Sequence, residues 1–468
     1  MKLTAKALEA VEHRAFLNKE VLAKKTLKRV STDSRTVAAG DLFVAIRGER
    51  FDGHSFIDEV FRRGALAAVV DYKSDLAPFV GKPFLVVENT VHALGAVARM
   101  HRQKFKIPVL AVAGSNGKTT TKDMITAVLK KKMNVLSTEG NLNNHIGVPM
   151  TMLRLTQKYQ AAVIEIGTNH PGEIEYLCSI LQPTHGIITN IGREHLEFLH
   201  SIEGVAQEEG ALFNFLRKGK GIAFVNSDDS HVRASARRMK RTVTYGFHTR
   251  KAVVRGTILK TSRSGCNTIS FSTKGKKKTN GISLRVPGEH NAMNALAATA
   301  VGHSLGVSEK VIANTLSHFR PTEKRMKVLN LGGVLVLNDT YNANPDSMIA
   351  AVQTLDRTVV RGKKIAVLAD MLELGEQSEK EHARVGAEIA HLGVDYVLTF
   401  GEYARFIHEE CGNVQTVHYD QKNMLAEYLA ELITAGDAVL VKGSRGMRME
   451  DIVMFLEERS KSTIAPIV

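Results

Sequence analysis

Residues 109–122 read Val-Leu-Ala-Val-Ala-Gly-Ser-Asn-Gly-Lys-Thr-Thr-Thr-Lys, an apolar strand that runs through a glycine-bearing turn into a helix. A chain built around such a unit is an α/β protein, and the turn is a phosphate cradle. Gly114 and Gly117 let backbone N–H groups approach a polyphosphate, with Ser115, Asn116 and Thr120 completing the turn. Lys118 reaches toward β- and γ-phosphates, and the Thr119 hydroxyl can ligate Mg²⁺. A helix expected from about Thr119 to Lys132 adds the partial positive charge of its N-terminus. The outer glycine of the general motif is absent, since Val112 stands five residues before Gly117. The alternative is a glycine-rich turn with a solvated lysine; strand, turn and Lys-Thr-Thr together favour binding of a nucleoside triphosphate.

At 468 residues the chain is too long for one core, and its length suggests about three domains. No apolar run approaches the ~18–20 residues needed to span a bilayer. The first ten residues lack a signal-peptide core, and Cys178, Cys266 and Cys411 have no metal-type spacing. These features lead us to expect reduced thiols and a cytoplasmic location. The net charge of +15 is concentrated between Arg233 and Lys278, including the run Lys274-Gly-Lys-Lys-Lys278. That run reads as a solvated hairpin tip or as a nucleic-acid patch. With no aromatic residues interleaved to stack bases, no nucleic-acid partner is expected.

Three blocks are expected along the chain. Residues 1–88 hold short apolar runs at Leu42–Ile46, Ala67–Val70 and Phe84–Val87. Residues 89–319 alternate strands and helices, with strands at Val109–Ala113, Ala161–Ile166, His185–Ile191 and Ile222–Val225. Residues 320–468 repeat the theme at Val334–Leu337, Lys364–Leu368, Tyr396–Phe400 and Ala438–Val441. The fold class is α/β: a small N-terminal domain, a central phosphate-loop domain with a parallel sheet, and a Rossmann-like C-terminal domain. In open α/β sheets ligands sit beyond the carboxyl ends of strands, so the turns there are where chemistry belongs.

Several of those turns are unusual. Glu165 near the end of an apolar strand is costly to bury without a cation or donors; it is either a Mg²⁺ ligand or an edge-strand glutamate facing water. His195, after Gly192-Arg-Glu, is a further ligand or phosphate contact, or a structural histidine. Asn344 and Pro345 suit a helix start, which leaves Asp339, Tyr341 and Asn342 in the same turn unexplained. Lys442-Gly-Ser-Arg-Gly446 joins a strand to a helix and offers N–H groups and two cations to an anion.

Taken together, these segments resemble the Mur ligase family over essentially the whole chain. Ser31–Arg35, Gly40–Gly48 and Asp52-Gly-His54 are similar to the family's uridine-nucleotide domain, which implies that Ser34, Arg35, Arg47 and Gly48 bind the UDP end of a substrate. Ala113–Thr120 resembles the family phosphate loop, which itself usually lacks the outer glycine. Asn141–Gly147, Glu165 and His195 fall at family positions, and Pro287–Asn294 resembles the adenine-side segment with His290, Asn291 and Asn294. Asp339–Met348, Leu368–Gly375 and Val441–Gly446 are most similar to members that add a dipeptide.

The resemblance implies an ATP- and Mg²⁺-dependent amide ligase acting as a monomer on small molecules. It would join D-alanyl-D-alanine to UDP-N-acetylmuramoyl-tripeptide through an acyl phosphate. Lys118, Glu165, His195 and Arg325 would be catalytic. Asp339, Tyr341 and Asn342 would meet ATP, and Asn344, Lys442, Ser444 and Arg445 the peptide. Two departures stand out. Lys324 replaces a common glycine before Arg325, and Glu209 occupies the place of a lysine that many Mur ligases carbamylate to hold a second Mg²⁺. The metal ligands implied are then Thr119, Glu165, His195 and Glu209. For Glu209 the alternative is a place on the solvated face of a helix.

Overall fold

The computed structural model describes residues 3–48, 51–273, 281–321 and 324–464. The apolar runs bracketed by glycine, proline and charge form strands buried on both faces, as expected of parallel sheets covered by helices. The first five are β1 (Ala15–Leu17), β2 (Val30–Ser31), β3 (Leu42–Val44), β4 (Ala67–Asp71) and β5 (Phe84–Val87). They form a sheet of order β1-β5-β4-β3-β2, parallel except for β1. Alternate residues feed two cores: Leu42, Val44, Val69 and Leu85 pack with Leu94 and Val97, while Phe43, Ala68, Val70 and Phe84 pack with Ile57 and Val60.

Next in the chain come β6 (Val109–Ala113), β7 (Val135–Ser137), β8 (Ala161–Glu165), β9 (His185–Ile188), β10 (Ile222–Asn226), β11 (Thr242–Gly246), β12 (Val254–Thr261), β13 (Cys266–Thr273) and β14 (Ile282–Pro287). The chain packs as two units, residues 1–111 with 133–168 and 173–185, and residues 112–132 with 169–172 and 186–468. Within the first, β7 and β8 are parallel. Within the second, β10, β11 and β12 are parallel neighbours, and β12, β13 and β14 pair antiparallel. The expected hairpin flanks therefore pair, while Lys274–Lys278 lie outside the described residues. β9 ends at Ile188, short of the expected Ile191, because Thr189–Gly192 turn away to grip the phosphate loop.

The last sheet holds β15 (Lys327–Leu331), β16 (Val334–Asp339), β17 (Lys364–Ala369), β18 (Tyr396–Phe400), β19 (Gln415–Tyr419) and β20 (Ala438–Lys442), in the order β15-β16-β20-β17-β18-β19. All pairs but β15–β16 are parallel, so β16 and β20 end together with Asp339 opposite Lys442. Asn344 caps the helix Pro345–Asp356 in a reciprocal pair with Ser347, as the Asn-Pro signature predicts. Among the described residues no helix is long and apolar enough to cross a membrane.

Asp370, just beyond β17, is buried and accepts the backbone N–H groups of Glu402, Tyr403 and Ala404. Gly401 (φ +118°) turns there because a Cβ would sit 2.5 Å from the Asp370 carboxylate. Asp370→Ala strands those donors, at ~1–3 kcal/mol for each group left unsatisfied. We expect it to lower the unfolding free energy by about 3 kcal/mol in urea titration; a loss below about 1 kcal/mol would refute this role.

Candidate active site

The turn after β6 is shaped by its neighbours. At Gly114 (φ +113°) a Cβ would lie 2.4 Å from the Thr189 hydroxyl, which itself donates to the Asn116 carbonyl at 2.6 Å. Ser115 donates its N–H to the Asn190 carbonyl, and its hydroxyl accepts the Gly192 N–H at 2.8 Å. The Asn116 N–H reaches Asn190 Oδ1 at 3.0 Å. At Gly117 (φ +78°) a Cβ would meet Asn294 Oδ1 at 2.7 Å. The helix Lys118–Leu129 then begins directly at Lys118, with Thr119 and Thr120 buried in its first turn. Glycine is required at both positions by conformation and by space.

The charges around this turn are buried. Lys118 Nζ lies 3.3 Å from Glu194 Oε2, and Glu194 is 4% exposed. Glu209 is fully buried, and its Oε2 accepts the Gly114 N–H at 2.8 Å. A solvated-face position for Glu209 is therefore incorrect. On the helix Ile202–Lys218, Glu209 falls on the same stripe as Val205, Leu212, Phe213 and Leu216, all buried, so the apolar face carries it inward. Burial pushes the Glu209 carboxyl up to about 8; Lys118 opposes the rise and Glu194 adds to it.

Glu165 ends β8 and is 3% exposed. It accepts the Asn143 amide at 2.9 Å, and its own N–H donates to the Thr138 hydroxyl. The edge-strand reading fails, because β8 pairs with β7 on one side and the Ala162 N–H bonds the Pro108 carbonyl on the other.

His195 (φ +48°) puts Nδ1 2.5 Å from Glu373 Oε2 and Nε2 3.7 Å from Glu194 Oε2.

The third block reaches the same turn. The Asn344 amide donates to Asn116 Oδ1 at 3.0 Å, so this cap residue touches the phosphate loop directly. Asp346, on the first turn of the same helix, accepts the Arg193 N–H at 2.7 Å and pairs with the Arg193 and Arg384 guanidinium groups. Lys442 is 2% exposed, held by Asp339 at 2.6 Å and the Asn342 carbonyl at 2.8 Å. Ser444 is also buried, between the Ala343 carbonyl and the Leu372 N–H. The Arg445 N–H donates to Asn342 Oδ1, and its side chain is 60% exposed. The Arg325 guanidinium stacks 3.7 Å from the centroid of the Tyr341 ring.

His290 Nε2 sits 3.0 Å from the Asn291 amide, which also reaches the Pro287 carbonyl; Asn294 donates to Asn291 Oδ1. Burial lowers the His290 pKa. Ser34 and Arg35 occupy a turn capped by Asp33, with Arg35 paired to Asp33 at 2.8 Å. Arg47 pairs with Asp52 and Asp71 beside His54, and the Gly48 N–H closes its turn on the Phe51 carbonyl.

The donors suit Mg²⁺, a hard cation that prefers oxygen. Beside the phosphate loop, Glu194 Oε1 and Glu209 Oε1 are buried carboxylate oxygens without a hydrogen-bond partner. Among the described residues no three His, Cys, Asp or Glu side chains cluster at metal-binding spacing.

Family models match three stretches: "Mur ligase family, catalytic domain" at 26–114, "Mur ligase middle domain" at 112–302, and "Mur ligase, glutamate ligase domain" at 324–445. The UDP-N-acetylmuramoyl-tripeptide–D-alanyl-D-alanine ligase of Bacillus subtilis (strain 168) is 37% identical over 436 residues, 92% of this chain and 93% of the relative. The chain belongs to the Mur ligase family.

The Escherichia coli (strain K12) ligase of the same name is also 37% identical, over 92% of this chain and 94% of its own. A crystal structure of MurF from Acinetobacter baumannii superposes with a TM-score of 0.88 at 31% identity, covering 98% and 99% of the two chains. The MurF ligase of Thermotoga maritima in complex with ADP gives 0.83 at 30% identity, over 93% and 99%. In this Mur ligase, Arg193, Glu194, Asp346 and Glu373 join the site without having been singled out from sequence. Glu194 is buried and the other three are only partly covered, so what brings them here is contact between distant segments, which no local pattern shows. Gly114→Ala introduces a clash and a backbone strain of ~1–3 kcal/mol. We expect calorimetry to show ADP affinity reduced about tenfold or more; affinity unchanged within about twofold would remove this loop from the nucleotide site.

Proposed function

We propose that this Mur ligase joins D-alanyl-D-alanine to UDP-N-acetylmuramoyl-tripeptide with ATP, releasing ADP and phosphate. The observation that carries this reading is the Asn116–Asn344 hydrogen bond, which brings the phosphate loop against the third-block turn holding Asp339, Tyr341 and Asn342. The reading also rests on relatives of that name along nearly the whole chain.

The chemical difficulty is that a carboxylate is a poor electrophile. In the first step an oxygen of the tripeptide's terminal carboxylate attacks the γ-phosphorus, the bond to the bridging oxygen breaks, and ADP leaves. The dipeptide amine then attacks the acyl carbon, phosphate departs, and the amine loses a proton to solvent. Both partners of the first step are anions. Lys118 follows charge onto the transferring group, the N–H groups of Gly114–Thr120 fix the phosphates, and Arg325 meets the developing negative charge. Bound Mg²⁺ would screen the β- and γ-phosphates; we assign it to Thr119, Glu165, His195 and Glu209.

We further assign residues 1–88 to the UDP end through Ser34, Arg35, Arg47 and Gly48, residues 89–319 to ATP, and residues 320–468 to the dipeptide and closure over ATP. His290, Asn291 and Asn294 serve the adenine side, and Asn344, Lys442, Ser444 and Arg445 the peptide side. We place the protein in the cytoplasm, a reading supported by three free thiols, and take it to act as a monomer.

Steady-state ADP release should require both the UDP-tripeptide and D-alanyl-D-alanine; stimulation by DNA or RNA instead would overturn the reading. Lys118→Ala should reduce ligation by ~10²-fold or more in a folded protein, and near-normal turnover would dismiss the assignment. With ¹⁸O in the substrate carboxylate, label should emerge in phosphate; its absence would mean another activation route, such as adenylylation.

Glutamate at 209 needs no CO₂, so activity should be indifferent to CO₂ depletion, and Glu209→Gln should raise the Mg²⁺ requirement. Loss of turnover on CO₂ removal, restored by bicarbonate, would show that a lysine elsewhere does this work.

A further inference from the structure

Arg325 is bracketed by two residues in left-handed backbone, Lys324 at φ +63° and Met326 at φ +50°. Neither is glycine, so the bend is unfavourable at both positions and persists because the surroundings over-determine it. Its backbone is held on both flanks. The Tyr341 N–H donates to the Lys324 carbonyl at 3.0 Å, and the Met326 N–H donates to Asp339 Oδ1 at 3.0 Å. Met326 is buried, and Asp339 is fixed in turn by Lys442 at 2.6 Å. In this bend the Arg325 guanidinium lies on the Tyr341 ring.

The Lys324 side chain adds a third hold. Its Nζ donates to Glu450 Oε1 at 2.9 Å, 126 residues away in the chain. Glu450 opens the helix Glu450–Ile464, which follows β20, and its side chain is only 12% exposed. The same oxygen accepts the Arg445 guanidinium at 3.1 Å, and that guanidinium lies 6.0 Å from the centroid of the Tyr341 ring. One carboxylate therefore joins the bend around Arg325 to the turn after β20. Bonds between ionised partners are stronger than neutral ones, and a helix N-terminus favours the negative charge that makes them.

We propose that Glu450 is a positioning residue of the ligase reaction, holding through Lys324 the left-handed bend that lays Arg325 on Tyr341. An arginine that meets charge developing on a transferring phosphoryl group acts only from the correct place, and a shift of about 1 Å can cost ~10²-fold in rate. The segment before β15 supplies the bend, and the helix after β20 supplies its tether. The role in turnover rests on the ligase reading above; the tethered bend does not.

The test uses the full chain. Trypsin cuts after arginine, so native-state cleavage between Arg325 and Met326, followed by mass spectrometry, reports opening of the bend. Glu450→Gln removes the charge and keeps the shape. Cleavage there should quicken about threefold or more, and kcat for ADP release with both substrates should fall ~10–100-fold. ADP affinity by calorimetry should stay within about threefold, since the phosphate loop is untouched. Glycine takes left-handed backbone without strain, so Lys324→Gly should lower kcat while its urea midpoint is held or raised. The double variant should be no slower than Glu450→Gln alone, because both substitutions break the same bond.

Unchanged cleavage after Arg325 in Glu450→Gln would overturn the proposal. So would normal kcat in either single variant, or a double variant slower than Glu450→Gln alone. Failure of the unsubstituted protein to ligate at all would instead refute the ligase reading, and the cleavage would still report the tether.

Discussion

A backbone N–H and a buried carboxylate, Gly114 and Glu209, hold the turn on which the rest of this site depends. Burial makes the charged form of that carboxyl expensive and pushes its pKa up to about 8, and the surroundings offset only part of that cost. Lys118 sits between the two buried acids by charge, Glu194 within 3.3 Å and Glu209 close enough to feel it, so a fixed cation offsets part of their burial. The same lysine is the one we propose to follow the transferring phosphoryl group.

Around that core the loop is over-determined. Thr189, Asn190 and Gly192 bond its backbone from one side, Asn294 fills the space over Gly117, and Asn344 reaches Asn116 from the third block. A cradle held from several directions has its N–H groups aimed before the ligand arrives, and that preorganisation makes such groups effective on developing charge. Asp346 ties the same two segments together by charge through Arg193 and Arg384, and Glu373 lies against His195. The nucleotide turn and the C-terminal sheet thus share side chains.

Much of the fold was legible because it depends on local pattern. Apolar runs such as Val109–Ala113 and Tyr396–Phe400 bury both faces and end where polar residues begin, and Asn344-Pro345 announces a helix by its own hydrogen-bonding chemistry. Glu165 stood out as an acid in an apolar strand. Its hydrogen bond from Asn143 and a central place for β8 were invisible, since strand order is a long-range property. Glu194 carried no local signal, because a glutamate in a polar turn is ordinary until another segment buries it.

By itself, then, the sequence determined an α/β chain with a phosphate cradle at Gly114–Thr120 and polar turns at the ends of its strands, since spacing and glycine content suffice for both. Tertiary structure alone decided which way Glu209 faces, what His195 touches, and that Lys442 serves Asp339. The reason is physical. Conformational preference acts over a few neighbouring residues, whereas the cost of burying a charge is set by groups such as Lys118 and Glu194, 76 residues apart in the chain, that meet only when the sheets are assembled.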